Sequence, residues 1–141
     1  MRTLFKVPLK VHHGLLLVTN LAERSVGNVL VPLEEIARKE GISQGFLEEI
    51  ARLLRSAGLI EGKRGAGGGY ALTRKPEDIT VADVVLAIEG PVALVECLGA
   101  LGACRLERSC TNRNVWSKVQ GQLMDTLRDM TVAEVCQQTA S

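Results

Sequence analysis

The sequence is poor in aromatic residues and has no long apolar run. Aromatic residues make up 3% of its 141 residues, so a core has to be built from aliphatic side chains, a composition that favours helices. No stretch approaches the roughly 18 apolar residues of a membrane span. The N-terminus MRTLFKVPLKVHHG also lacks an uninterrupted apolar segment ending in a small-residue cleavage site. We therefore expect a cytoplasmic chain with no membrane partner.

The four cysteines include no pair two to four residues apart, the spacing that structural zinc sites favour. In a reducing cytoplasm they suit metal ligation, thiol reactivity or core packing better than a disulfide framework. Cys97, Cys104 and Cys110 are separated by six and then five residues in a glycine-containing loop. Cysteines spaced widely on such a loop are suited to bind an iron-sulfur cluster through their thiolates. Alternatively, the three cysteines are only small apolar residues of the loop. Cys136, beside Val132 and Val135, is predicted to pack in the core.

Charge is divided unevenly along the chain. Residues 1–75 hold 12 Lys and Arg against 7 Asp and Glu, while residues 76–141 hold 5 against 9, so the halves carry +5 and −4. A basic half suits a polyanionic partner such as DNA, although ordinary proteins also show differences of this size. The charge alone therefore decides little.

The apolar residues recur at helical spacing in most of the chain, with one β-prone exception. A mainly α protein with a small β-hairpin is the predicted fold class. Pro32 fits the first position of the second helix, Ser43 can cap the third, and Thr80 with Asp83 can cap the fourth. Helices are predicted at 8–22, 32–40, 44–57, 81–89, 112–130 and 131–138, and hairpin strands at 59–62 and 70–73. The helix at 112–130 carries an apolar stripe of dimer-forming type: Val115, Trp116, Val119, Leu123, Met124 and Leu127.

The second and third predicted helices have the features of a helix-turn-helix. Two helices that cross closely need a small residue at the crossing and a glycine in the turn, and Ala37 and Gly41 occupy those places. With Leu47 and Ile50 facing inward, the start of the third helix is left exposed, where base edges of a DNA major groove would be met. The exposed residues are predicted to be Ser43, Gln44, Gly45, Phe46, Glu48 and Glu49. An ordinary helical hairpin is the alternative for this segment.

A hairpin with a basic tip follows directly. Its tip has four glycines within five residues, so we expect it to be long and flexible, and Lys63 and Arg64 come just before the glycines. A DNA-binding wing needs small residues near the DNA backbone and a cation that enters the minor groove. The glycine run alone also fits a plain loop, but it lacks the Lys-Ser/Thr of a P-loop. A helix-turn-helix followed by such a hairpin is more specific than either part.

These segments together resemble the Rrf-type winged-helix transcription regulators, the family of IscR, NsrR and RirA. The matching stretches cover almost the whole chain: VPLEEIARKEGIS, FLEEIARLLRSAGLI, KRGAGGGYALTRKPEDITVADVVLAIEGP, the cysteine loop, and VW with the closing TVAEV. The resemblance implies a homodimer on a near-palindromic operator, with Ser43 to Glu48 in the major groove, Arg64 in the minor groove and Lys6 on a phosphate. The family usually has proline at Ala66 and polar residues at Gly45 and Glu49, so the operator sequence does not transfer.

The resemblance also implies a cluster on Cys97, Cys104 and Cys110. In IscR-like members a histidine three residues after the last cysteine completes the site, and that position here is Arg113. Other members recruit a residue of the first helix, often from the partner subunit, and His12 matches one such position. His12 and His13 point about 100° apart on a helix, so at most one faces the loop, and a surface or core histidine is the alternative. We expect a two-iron two-sulfur rather than a four-iron four-sulfur cluster.

The resulting prediction is one compact domain, with a winged helix-turn-helix at 1–76 and the cysteine loop and dimerisation helices at 77–141. Its function would be that of a repressor that senses redox, iron-sulfur, iron or nitric oxide status. A cluster-free thiol switch of the same fold is the first alternative, and a metal-dependent protein-interaction module without salt-dependent DNA affinity is the second. An enzyme is least supported, because no paired acid and base, positioned nucleophile or cofactor fingerprint is present.

Overall fold

The computed structural model describes residues 2–24, 29–95, 98 and 111–139. It confirms the predicted fold class, a mostly helical chain with a two-stranded antiparallel hairpin. Cys97, Cys104 and Cys110 lie outside the described residues. The elements are α1 (Leu9–Arg24), α2 (Leu33–Glu40), α3 (Gln44–Ser56), β1 (Ile60–Lys63), β2 (Gly69–Leu72), a 3₁₀ turn (Pro76–Asp78), α4 (Val81–Glu89), α5 (Thr111–Asp129) and α6 (Val132–Thr139).

The local signals for helix ends are confirmed, with small shifts of boundary. The Ser43 hydroxyl accepts a hydrogen bond from the Phe46 N–H at 3.2 Å, and Thr80 and Asp83 form the reciprocal bonds of a capping box. Gly41 ends α2 with a φ of 69°, a left-handed conformation that glycine adopts without steric cost. Pro32 is the residue before α2 rather than its first residue, and α1 runs two residues further than predicted.

The core is aliphatic, as the scarcity of aromatic residues requires. Helix α1 packs against α3, α4 and α6, and its Leu17, Val18 and Leu21 are fully buried. Burying one such side chain contributes about 1.5–3 kcal/mol to folding. The other fully buried large side chains are Val31, Ile36, Leu47, Ile50, Leu54, Leu59, Ile60, Ile79 and Val84.

Gly14 allows α1 to lie close to its neighbours. A Cβ at this position would overlap Cδ1 of Ile88 on α4 and would lie 3.6 Å from Cγ2 of Ile50 on α3. Gly14 is buried in the middle of a helix, where glycine costs about 1 kcal/mol relative to alanine. The close approach of three helices explains why this position lacks a side chain.

The apolar residues of the long helix α5 are only partly buried within the chain. Met124 is buried, and Trp116 and Leu127 are half-buried, whereas Val115, Val119 and Leu123 stay exposed. Because α5 packs on α4, one edge of the apolar surface is covered within the chain and the other edge is not. None of the helices in the described part of the chain combines the length and the apolar character that a membrane crossing requires.

Asn20 is a buried polar anchor between α1 and α2, with 3% of its surface exposed. Its Nδ2 donates to the Leu16 carbonyl at 2.8 Å and to Glu40 Oε1 at 3.0 Å. Lys39 Nζ in turn donates to Asn20 Oδ1 at 3.0 Å. Both ends of the amide are therefore bonded, and the end of α2 is held against α1.

We expect Asn20→Ala to lower the free energy of unfolding by about 1–2 kcal/mol, because Glu40 and Lys39 lose a shared hydrogen-bonding partner next to the core. Gln137→Ala, an exposed change on α6, is the matched control and should stay within about 0.5 kcal/mol of the unchanged chain. Urea unfolding followed by circular dichroism gives both values. Equal midpoints for the two variants would show that Asn20 is not an anchor.

Candidate nucleic-acid interface

Helices α2 and α3 form a close pair joined by Gly41, Ile42 and Ser43. The Ile42 N–H donates to the Ala37 carbonyl at 3.0 Å, which closes the turn. Ala37, Leu47 and Ile50 are buried, as predicted. This packing turns the opposite side of α3 outward, and Gln44, Gly45 and Glu48 are exposed there together with Ser43.

Two of the residues expected to be exposed on α3 contact α1, although Glu49 remains exposed as predicted. Phe46 is half-buried, which corrects the prediction that its side chain is free, and its ring lies edge-on to the His13 ring with centroids 5.5 Å apart. Glu49 Oε1 accepts from Lys10 Nζ at 3.1 Å. Both contacts come from α1, which is more than 30 residues away in sequence, so the pattern within α2 and α3 does not indicate them.

The outward side chains at the start of α3 also contact one another. Gln44 Nε2 and Glu48 Oε1 are 3.4 Å apart, one helical turn from each other. Ser43 is exposed, but its hydroxyl already caps the helix. The free hydrogen-bonding capacity of this surface therefore lies mainly with Gln44 and Glu48, side chains able to bond adenine and cytosine edges respectively.

The hairpin is attached to the helix-turn-helix by backbone hydrogen bonds. Strands β1 and β2 pair from Ile60 with Leu72 to Lys63 with Gly69. Val31 then forms an isolated bridge with Tyr70, and each N–H donates to the other carbonyl at 2.9 Å. This bridge was not predicted, although the apolar run Val29 to Val31 before Pro32 is the signal that could have indicated it.

The tip of the hairpin, which was predicted to be long and flexible, contains a hydrogen-bonded turn. The Gly68 N–H donates to the Gly65 carbonyl at 2.9 Å, and Gly67 has a φ of 74°, as the third residue of a type II turn requires. A Cβ on Gly69 would lie 2.5 Å from the Val31 carbonyl carbon, so that glycine is needed for packing. The proline that the family resemblance implies at position 66 would suit the second position of the same turn.

The remaining predicted DNA-facing residues are exposed cations. Lys63 and Arg64 lie at the end of β1 and at the tip, and Lys6 lies in the segment before α1. Arg52 and Arg55 add exposed positive charge on α3, beyond the carboxylates of Glu48 and Glu49. The predicted set thus combines exposed polar side chains with exposed cations, the two kinds of group that read base edges and contact phosphates.

The predicted metal ligands are only partly within the described residues. His12 is exposed on α1, and its ring centroid is 5.8 Å from that of His13. Arg113 is half-buried in the first turn of α5, and its Nε is shielded from solvent. No group of three His, Cys, Asp or Glu side chains able to hold a metal ion occurs among the residues that the structure describes.

Cys136 packs against the core from α6, as predicted. Its Sγ lies 3.9 Å from the carbonyl oxygen of Thr19 on α1. Burial raises the pKa of the Cys136 thiol, and the negative charge of Glu23 raises it further. A raised pKa keeps the thiol protonated at neutral pH, which makes it a poor nucleophile and a poor metal ligand.

Comparison with known proteins agrees with this architecture. A profile of the Rrf2 family, described as an iron-dependent transcriptional regulator, matches residues 8–138. The chain belongs to the Rrf2 family. Protein rrf2 of Nitratidesulfovibrio vulgaris is 39% identical over 105 residues, which is 74% of this chain and 70% of that protein. The regulator IscR of Vibrio atlanticus is 34% identical over 74% of this chain, but the match spans only 60% of IscR.

The regulator CymR of Bacillus subtilis matches over a longer part of this Rrf2 chain. It is 30% identical over 134 residues, 95% of this chain and 91% of CymR. The structure of this CymR, described as the global cysteine regulator, has a TM-score of 0.77 at 29% identity and covers 94% of this chain and 97% of its own. The T. potens IscR structure also has a TM-score of 0.77, at 32% identity, and the match covers 96% of this chain and 88% of the IscR chain. These relatives are transcriptional regulators.

We expect Arg64→Ala to weaken DNA binding by about 1–3 kcal/mol, because the exposed guanidinium at the tip is the cation predicted to enter a narrow minor groove. Arg128→Ala removes the same charge from an exposed position on α5 and should leave the affinity unchanged. Anisotropy titration at fixed salt, with a duplex enriched by the unchanged chain from a random library, measures both. Equal affinities for the two folded variants would refute the wing assignment.

Proposed function

We propose that this chain is a DNA-binding repressor that acts as a homodimer and holds an iron-sulfur cluster on the loop from Cys97 to Cys110. The DNA-binding part of the proposal is supported chiefly by one observation. The polar start of α3 and the basic tip of the hairpin belong to one unit, because the Val31 to Tyr70 bridge joins the hairpin to the chain two residues before α2. A helix for the major groove and a cation for the minor groove are thus held in fixed relation.

In the proposed complex, α3 enters the major groove by its N-terminal end. Gln44 and Glu48 read base edges there, while Lys6 and Lys63 contact phosphates and Arg64 occupies the minor groove. Gly45 lets the helix approach closely because it adds no side chain, and a Cβ there would meet open space. Occupation of an operator in a promoter region by this unit would block transcription.

The exposed edge of α5 supports the homodimer. Val115, Val119 and Leu123 follow one another at four-residue spacing and remain 54%, 40% and 40% exposed in the single chain. Contiguous exposed apolar side chains at helical spacing are typical of a helix that packs on a partner. A second copy is the proposed partner, since a two-fold dimer places two recognition helices on a near-palindromic site.

We expect Val119→Glu to convert the dimer to a monomer of 15.2 kDa, because an unpaired carboxylate in an apolar interface costs several kcal/mol. Sedimentation equilibrium measures the mass. Ser117→Glu introduces the same charge about 160° away on the same helix and is the control. A Val119→Glu variant that keeps the mass of the unchanged chain would contradict the proposed interface.

The donor set is chemically suited to an iron-sulfur cluster. Three cysteines within residues 97–110 offer thiolate ligands, which such clusters prefer. Arg113 cannot be a ligand, because its guanidinium stays cationic. His12 is the proposed fourth ligand, from the same chain or from the partner subunit, and its exposure on α1 leaves its ring accessible. When bound, a two-iron two-sulfur cluster supplies reversible redox chemistry and sensitivity to oxidants.

We expect the anaerobically purified chain to be coloured by sulfur-to-iron charge-transfer bands and to contain iron and sulfide. Cys104→Ala should remove the colour by removing a thiolate ligand. Cys136→Ala is the matched control and should keep the colour, since the Cys136 thiol is held protonated on α6. In the same series, a change of spectrum in His12→Ala but not in His13→Ala would support His12 as the fourth ligand.

A cluster-free thiol switch of the same fold is the second candidate. The observation in its favour is the match to CymR, a cysteine regulator by its description, which extends over 95% of this chain. In this case the thiols of Cys97, Cys104 and Cys110 would respond to oxidants directly. A colourless protein without iron or sulfide after anaerobic reconstitution would favour this second candidate over the cluster.

A further inference from the structure

Helix α1 contacts α3 through two side-chain pairs with matching spacing. Lys10 Nζ donates to Glu49 Oε1 at 3.1 Å, and the His13 and Phe46 rings meet edge to face at an interplanar angle of 79°. Lys10 and His13 are three residues apart on α1, and Phe46 and Glu49 are three residues apart on α3. Residues three apart share one face of a helix. Two contacts on one face restrain both the position of α3 and its rotation about its own axis.

We propose that Lys10 and His13 are positioning residues for DNA recognition, which hold the start of α3 in the rotation that turns Gln44 and Glu48 outward. The proposal rests on the DNA binding proposed above. Successive side chains on α3 point about 100° apart, so a rotation of α3 by a fraction of that angle already turns Gln44 and Glu48 away from the direction in which they would meet base edges. Neither residue belongs to the predicted DNA-facing set.

The ion pair also controls a negative charge beside the predicted DNA surface. Glu48 and Glu49 are adjacent, exposed carboxylates on the helix that would approach phosphates. Lys10 draws Glu49 toward α1 and neutralises it. Without Lys10 the Glu49 side chain is free to move beside Gln44 and Glu48, where a further acceptor would compete for the base edges that they read. Lys10 therefore acts through Glu49 and needs no contact of its own with DNA.

The ring contact depends on shape rather than on a hydrogen bond. Nδ1 of His13 is shielded from solvent and has no hydrogen-bond partner among the described residues. An aromatic ring at this position is thus held by its packing against Phe46, and an edge-to-face pair of this kind contributes to stability beyond its buried area. Phenylalanine at position 13 preserves the ring and removes the unpaired nitrogen, whereas alanine removes the contact.

The test compares specific with non-specific DNA binding. Two probes are used in anisotropy titrations at fixed salt: the duplex that the unchanged chain enriches from a random library, and a scrambled duplex of the same composition. The ratio of the two dissociation constants should fall about threefold in Lys10→Met and about fivefold in His13→Ala. His13→Phe should keep the ratio of the unchanged chain. If either residue had a purely structural role, its variant would instead unfold at a lower midpoint and would bind both duplexes more weakly by the same factor.

A double-mutant cycle separates positioning from a direct phosphate contact. If Lys10 acts through Glu49, Lys10→Met has no further effect on the ratio in a Glu49→Gln background. If Lys10 contacted a phosphate, Lys10→Met would weaken the binding of both duplexes equally in both backgrounds. It would also lower the slope of log affinity against log salt concentration by about one. That result would overturn the proposal for Lys10. An unchanged ratio in folded His13→Ala would overturn it for His13. An unchanged chain that enriches no duplex would instead refute DNA binding itself.

Discussion

The packing of α1 is the constraint on which the described structure depends. Helices α3, α4 and α6 all contact it, and Gly14 allows the approach of Ile88 and Ile50 from two of them. In a chain with four aromatic residues, branched aliphatic side chains fill the interior, so the fit between helix surfaces determines their positions. Asn20 adds a directional restraint on α2. A displacement of α1 would therefore be transmitted to α3, because packed interfaces shift as units rather than deform gradually.

The features predicted correctly from the sequence are those encoded within a few residues. The cap at Ser43, the turn at Gly41 and the capping box at Thr80 each depend on neighbours three or four positions away. What the sequence could not reveal involves distant partners. Phe46 is covered because His13 of α1 lies beside it, and the apolar residues of α5 are divided because α4 covers one edge. Periodicity identifies an apolar face, but it does not identify which neighbour covers it.

The glycines of the hairpin are required for different physical reasons, although they form one run in the sequence. A run of four glycines in five residues suggests flexibility, yet Gly67 meets the φ requirement of a turn and Gly69 makes room for the Val31 backbone. The hairpin is therefore restrained at its tip and at its base. A restrained wing loses less conformational entropy when it binds, so more of its interaction energy is available for affinity.

The proposed sensing and DNA-binding functions converge on one turn of α1. His12, the candidate cluster ligand, lies between Lys10 and His13, which contact the recognition helix. A ligand bond at His12 would act on the same helical turn that restrains Glu49 and Phe46. Because a ligand can shift an equilibrium only by interacting differently with its two states, such a bond would have to favour one placement of α1 over another. Coupling by this route needs no relay through α5, whose exposed apolar edge would then serve only the proposed dimer interface.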